Sequence, residues 1–154
     1  MNKIEIEREN VIAAHLVAGS KTRKVLETLF GQKVFKPLDV TERIKTLSDA
    51  EKEIGRFAVV DMTLTKDERA YHQLKIIAEA LNEGWKPNWN DSNERKFYPW
   101  FSMTDKPGFG FSYTCCGWAR TYTDVGSRLC FKSEKLAAYA GKQFESIYKD
   151  FLTL

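Results

Sequence analysis

Gly84-Trp-Lys-Pro-Asn-Trp-Asn-Asp-Ser-Asn-Glu-Arg-Lys-Phe-Tyr-Pro-Trp-Phe101 divides this chain, and its reading decides the fold. Before it the apolar residues recur at helical spacing. After it they alternate as in strands. The stretch holds three of the four tryptophans and two of the four prolines, with almost no small aliphatic residue. Gly84 is suited to a left-handed helix cap, and Pro87 with the Asn-Asp-Ser-Asn run reads as loop. Lys96 to Met103 then reads as a strand, with Phe97 and Phe101 on one face and Tyr98 and Trp100 on the other. Pro99, lacking an amide, belongs on an edge or at a bulge. Whether Trp85, Trp89 and Trp100 are core or surface is open at this level.

Working back from Gly84, Ala70, Leu74, Ile77, Ala78 and Leu81 share one helical face, and Thr65-Lys-Asp-Glu68 has the form of a capping box. Ser48-Asp-Ala-Glu51 has the same form, predicting a short helix to Ile54 that stops at Gly55. Asp39 or Thr41 can cap a helix through Lys45. Residues 7–18 and 21–30 read as two helices broken at Gly19-Ser20, with Ser20 as the second cap and Gly31 as its left-handed stop. Lys33 to Leu38 is expected to be extended, and Phe57 to Met62 has strand composition.

Working forward, Lys106-Pro-Gly108 is a turn. Phe109, Phe111, Tyr113 and Cys115 alternate strictly, and parity flips past Gly117, which a bulge or turn at Cys116-Gly117 would explain. Ser127 to Lys132 reads as a third strand. Ser133 caps a closing helix with the stripe Leu136, Ala140, Phe144, Ile147 and Phe151. The expected architecture is α+β: a helical N-terminal half, an antiparallel sheet of about three strands, and a C-terminal helix packed on the sheet. Residues 1–154 are expected to form a single domain.

With 43% hydrophobic and 29% charged residues the chain has the composition of a folded domain, and a net charge of +3 permits an anionic partner without requiring one. Its three cysteines are an odd count, two of them adjacent, which fits a reducing cytoplasm better than a disulfide framework. The first residues are charged where a signal peptide needs an apolar run. The longest apolar block, Val11 to Ala18, is too short to span a bilayer, so neither secretion nor membrane insertion is expected.

Asp39-Val-Thr-Glu-Arg-Ile-Lys45, Ala80-Leu-Asn-Glu-Gly-Trp-Lys-Pro-Asn-Trp89, Tyr98-Pro-Trp-Phe101 and Gly126-Ser-Arg-Leu-Cys-Phe-Lys132, followed by Leu136-Ala-Ala-Tyr-Ala-Gly-Lys-Gln-Phe144, carry a resemblance. They look like a family of uncharacterised proteins encoded by anaerobic gut bacteria and their phages. The similarity runs from about residue 39 to the end, and more loosely from residue 7. It implies a phage or mobile-element setting and an intracellular soluble product. It brings no activity and no functional residues.

The residues themselves offer no catalytic or cofactor motif. Cys115, Cys116 and Cys130 with His15 and His72 lack the ligand spacing of a zinc site, and adjacent cysteines on a strand face opposite ways. Gly108-Phe-Gly110 lacks the following glycine and helix of a phosphate loop. No metal, cofactor or catalytic residue is therefore assigned. Two surfaces suggest binding. Val11 to Phe30 resembles a helix-turn-helix in spacing, its second helix opening with the basic residues Lys21, Arg23 and Lys24, but His15 and Thr28 depart from that pattern and an ordinary hairpin with a solvated basic face is the favoured reading. From Trp85 to Tyr122 lie 11 of the chain's 20 aromatics, interleaved with Arg95, Lys96, Arg120 and Arg128. Such a surface can stack single-stranded bases, although core packing also uses aromatics. The candidate nucleic-acid-binding residues are Lys21, Arg23, Lys24, Arg95, Lys96, Trp100, Trp118, Arg120 and Arg128. The alternative is a protein-interaction or homo-oligomeric module using exposed aromatics.

Overall fold

The computed structural model of the chain describes residues 6–35, 38–58, 61, 63–104, 108–117 and 121–153, with the backbone alone at Lys33 and at 113–117. These residues pack as two compact units, Met1–Leu38 and Asp39–Leu154.

In the first unit, α1 (Arg8–Val17) and α2 (Ser20–Phe30) are followed by a 3₁₀ turn at Gln32–Phe35. The 3₁₀ turn replaces the extended segment expected at 33–38 as far as Phe35. Ser20 is the first helical residue rather than the cap, and Gly19 takes the cap position with no side-chain bond. Gly31 ends α2 at a positive φ of 79°, but its ψ of 142° lies outside the left-handed helical region. The hairpin is held by polar contacts. Arg23 donates to the carbonyls of His15 and Leu16 at 3.0 and 2.9 Å, His15 Nε2 meets Glu27 Oε1 at 2.8 Å, and the His15 ring stacks on Phe35 at 4.1 Å. Val11 is buried, whereas α2 buries no residue.

The second unit is α+β. It contains α3 (Val40–Arg43), α4 (Leu47–Ile54), α5 (Lys66–Asn82), β1 (Lys96–Ser102), β2 (Gly110–Gly117), α6 (Glu134–Gln143) and α7 (Glu145–Leu152). Asp39 caps α3, accepting from the Thr41 amide at 2.9 Å, while its second oxygen accepts from Lys135 of α6 at 2.7 Å. Those bonds, from Lys135 first and then Thr41, hold the Asp39 carboxyl well below the ordinary carboxylate range. α4 begins two residues earlier than expected. Thr46 and Asp49 form its capping box, and Glu51 instead accepts from the Ala58 amide beyond the helix at 2.8 Å. Gly55 closes α4 in the left-handed region, as its position suggested. Phe57 and Ala58 are not in a strand; Val59, Val60 and Met62 of that expected strand lie outside the described residues.

The five apolar residues of the predicted α5 stripe are all buried, and Ile76 and Ala80 join them. The wider burial follows from α5 packing against α4 and also against α7. At its end Glu83, not Gly84 alone, takes a left-handed conformation, with φ 50° against 81° at Gly84.

The sheet has two antiparallel strands rather than three. Its register pairs Lys96 with Gly117 and Trp100 with Tyr113, then shifts so that Phe101 faces Phe111, leaving Ser112 as the extra residue of a bulge. The expected bulge or turn at Cys116-Gly117 is not where the irregularity falls; β2 runs to Gly117, and the parity change beyond it lies outside the described residues. Phe97 and Phe101 do turn to the core side, where Phe101 packs against Phe109, Phe111 and Tyr148 at ring distances of 5.1, 6.1 and 4.8 Å. α6 crosses this face at Gly141, where an added Cβ would lie 2.4 Å from Phe111 and 2.7 Å from Pro99.

The expected third strand, 127–132, contributes a single bridge, Phe131 to Phe97. Two more of its backbone groups are satisfied by a side chain. Asn82, buried at the end of α5, donates to the Cys130 carbonyl at 2.8 Å and accepts from the Lys132 amide at 3.0 Å. A ladder is therefore unnecessary there. The closing helix is two helices. Ser133 caps α6 as expected, but Phe144 breaks the run, letting α6 lie on the sheet and α7 on α5, with Glu145 accepting from the Phe111 amide of β2 at 2.8 Å.

Candidate nucleic-acid interface

The Trp-rich stretch builds two different structures within the second unit. Beyond Pro87 the chain forms a loop wrapped around the Lys96 ammonium. Lys96 is 0% exposed, and its Nζ donates to the carbonyls of Asn88 and Glu94 at 2.5 and 2.9 Å and pairs with Glu94 Oε1 at 3.1 Å. The Trp89 ring lies 5.2 Å from the same nitrogen, and Trp89 Nε1 donates to Ser127 Oγ at 2.6 Å. Asn88 and Asp91 accept from the amides of Asn90 and Asn93 at 3.0 and 2.8 Å, the turns that Asx residues favour. A buried ammonium needs this many partners, because an unpaired charge away from water costs several kcal/mol, of order.

On the near side of Pro87 the arrangement opens. A cleft of about 610 Å³ is lined by Asn82, Gly84, Trp85 and Pro87, by the cations Arg56, Lys75, Lys86 and Arg128, and by Glu79 and Ser127. Among the described lining residues Glu79 is the one acid, and it is paired with Arg56. Lys75 lies over the Tyr71 ring at 4.7 Å. Lys86 and Arg128 are exposed and make no ion pair among the described residues. Trp85 is partly buried, anchored by its backbone amide donating to the Asn82 carbonyl at 3.0 Å, while its indole N–H has no hydrogen-bond partner among the described residues. The carbonyl end of α5 points its negative pole toward this region. That pole is offset by the surrounding cations and by Arg43 and Lys132, which grip Glu83 at 2.8 Å each. The Lys132 contact first, and Arg43 after it, hold the Glu83 carboxyl below its ordinary value.

The residues singled out from sequence fall in several places. In the first unit Lys21 and Lys24 are exposed on α2, but Arg23 is bonded to α1 carbonyls. In the second unit Arg128 lines the cleft and Arg95 is exposed beside β1. Trp100 is 42% exposed, its ring 6.3 Å from the buried Tyr98. Lys96 is enclosed and cannot reach a phosphate from its present position. Trp118 and Arg120 lie outside the described residues. Trp85, Lys75, Lys86 and Arg56 were not singled out as binding residues. Trp85-Lys86 is a local aromatic-basic pair that could have been, whereas Arg56 and Lys75 reach the cleft only through the packing of α4 and α5.

Cys130 is buried, and burial pushes its thiol up to about 11, so it is a poor nucleophile. Among the described residues no group of three or more His, Cys, Asp or Glu side chains is placed to hold a metal ion, and no helix is long and apolar enough to cross a membrane. No protein-family model, curated protein or solved structure matches the chain.

Proposed function

We propose that this chain is a non-catalytic nucleic-acid-binding module that serves a phage or mobile element in the cytoplasm. The observation that carries the reading is the cleft, where, among the described residues, four cations and one paired carboxylate surround a tryptophan whose indole N–H meets no hydrogen-bond partner. Cations attract phosphates and release their counterions, and an aromatic face accepts a base. Binding of labelled oligonucleotides, single-stranded and duplex, over a salt series tests it. Affinity should fall steeply with salt, with a log–log slope of about −2 to −3 if three or four phosphates are held on a single strand. No binding of any oligonucleotide at low salt overturns the reading.

A second reading is a protein or homo-oligomer contact. It is favoured by the exposure of Trp100, Tyr122 and Phe57 in the second unit, at 42%, 83% and 78%. Aromatic anchors dominate interfaces. Light scattering over a concentration series tests self-association, and a monomer throughout excludes it.

A further inference from the structure

We infer that the Trp85 cleft holds one unstacked nucleotide of a single strand, with the base against Trp85 and its flanking phosphates on Lys86 and Arg128. The inference rests on the nucleic-acid reading and specifies its ligand. A concave site of about 610 Å³ is the size of a pocket for one small ligand rather than of a groove for a double helix. Bases of a duplex are stacked on one another and present only their edges, so an aromatic set inside a cleft is useful only to a base that has left the stack. Trp85 has its own backbone fixed to Asn82, which sits in the buried clamp on Cys130 and Lys132. The ring is therefore presented from a rigid base, while its N–H, unbonded among the described residues, can donate to a base or sugar oxygen. Lys86 follows it in sequence, and Arg128 comes from the segment that the same clamp fixes. The two cations thus enter from separate chain segments and can bracket one nucleotide. Lys75 and the Arg56–Glu79 pair line the same cleft and keep its field positive.

The test uses the full chain, a fluorescein-labelled oligothymidylate of about ten nucleotides and a hairpin duplex of similar charge, at about 50 mM salt. The single strand should bind at least about tenfold more tightly than the duplex. Trp85→Ala should weaken single-strand binding by roughly 5- to 150-fold, the range that loss of one base–aromatic stack produces. Arg128→Ala should weaken it less and make the salt slope shallower by about 0.7. Trp85→Leu keeps more of the apolar volume without the π face, and should bind as poorly as the Ala variant while melting at a higher temperature than that variant. Equal binding of single strand and duplex, or unchanged binding by both Trp85 variants, overturns the inference while leaving nucleic-acid binding standing elsewhere on the chain. Failure of wild type to bind either oligonucleotide removes both.

Discussion

Lys96 with Trp89 and Lys86 with Trp85 are two lysine-tryptophan pairs a few residues apart, and they end in opposite states. The first pair is closed: backbone carbonyls of Asn88 and Glu94 surround the ammonium and Ser127 accepts the indole N–H. The second pair is open, with neither the ammonium nor the indole bonded to any described residue. Composition is the same in both. What differs is whether the loop turns its carbonyls inward, as the Asx turns at Asn88 and Asp91 make it do. A lysine beside a tryptophan therefore identifies neither a core plug nor a ligand surface until the backbone between them is known.

Removing the closed pair's charge should produce the largest effect. Lys96→Met keeps much of the volume but leaves the Asn88 and Glu94 carbonyls without this donor and the Glu94 carboxylate with the Asn88 amide in place of an ion pair. A loss of about 3–5 kcal/mol is expected from breaking one side of a buried ion pair, measured as a fall in the urea midpoint. Next comes the clamp under both regions. Asn82→Ala strands the Cys130 carbonyl and the Lys132 amide, at a cost of about 2–3 kcal/mol, and amide exchange at Lys132 should rise more than at the centre of α5. Trp89→Phe retains the ring but loses the bond to Ser127 and weakens the contact with Lys96. About 1–2 kcal/mol is expected, read from the same denaturation curves.

A smaller effect is pH-linked. Glu83 has its carboxyl depressed below the ordinary 4.5 by Lys132 and then Arg43, so its contribution is present above that value and lost as pH falls through the depressed one. Because the pair is exposed, Glu83→Gln should cost about 1 kcal/mol or less at neutral pH. It should also flatten the acid limb of stability against pH. An unchanged acid limb would show that the pair contributes nothing measurable.

These contrasts mark how far the sequence could be read. Capping residues, stop glycines and apolar periodicity are local properties, and they located α5, the end of α4, the Asp39 cap and the core face of β1. Errors arose where two local solutions compete. Thr46-x-x-Asp49 and Ser48-x-x-Glu51 both satisfy the capping pattern, and the earlier one prevails in the fold. The 127–132 segment has strand composition, yet Asn82 from 48 residues away bonds its backbone, and no local pattern announces a side chain replacing a ladder. The break at Phe144 is likewise set by where α5 and the sheet lie, since its stripe continues smoothly in sequence. The cleft was legible only in part, because Arg56, Lys75, Lys86 and Arg128 come from four places in the chain.

Truncating Trp85 and Trp89 in turn decides whether the open and closed pairs are different in kind. Trp85 is partly buried and its side chain meets no hydrogen-bond partner among the described residues, so Trp85→Ala should cost about 2–4 kcal/mol, through lost apolar area alone. Trp89→Ala, which also removes a bonded indole and the ring over a buried ammonium, should cost about 1–2 kcal/mol more in the same urea titration. If the two variants unfold at the same midpoint, Trp85 is a second pin of the junction rather than a surface held ready for a ligand. A clear gap between them, with Trp85→Ala folded, means that the Trp85 ring contributes apolar area alone and leaves its polar edge to a ligand.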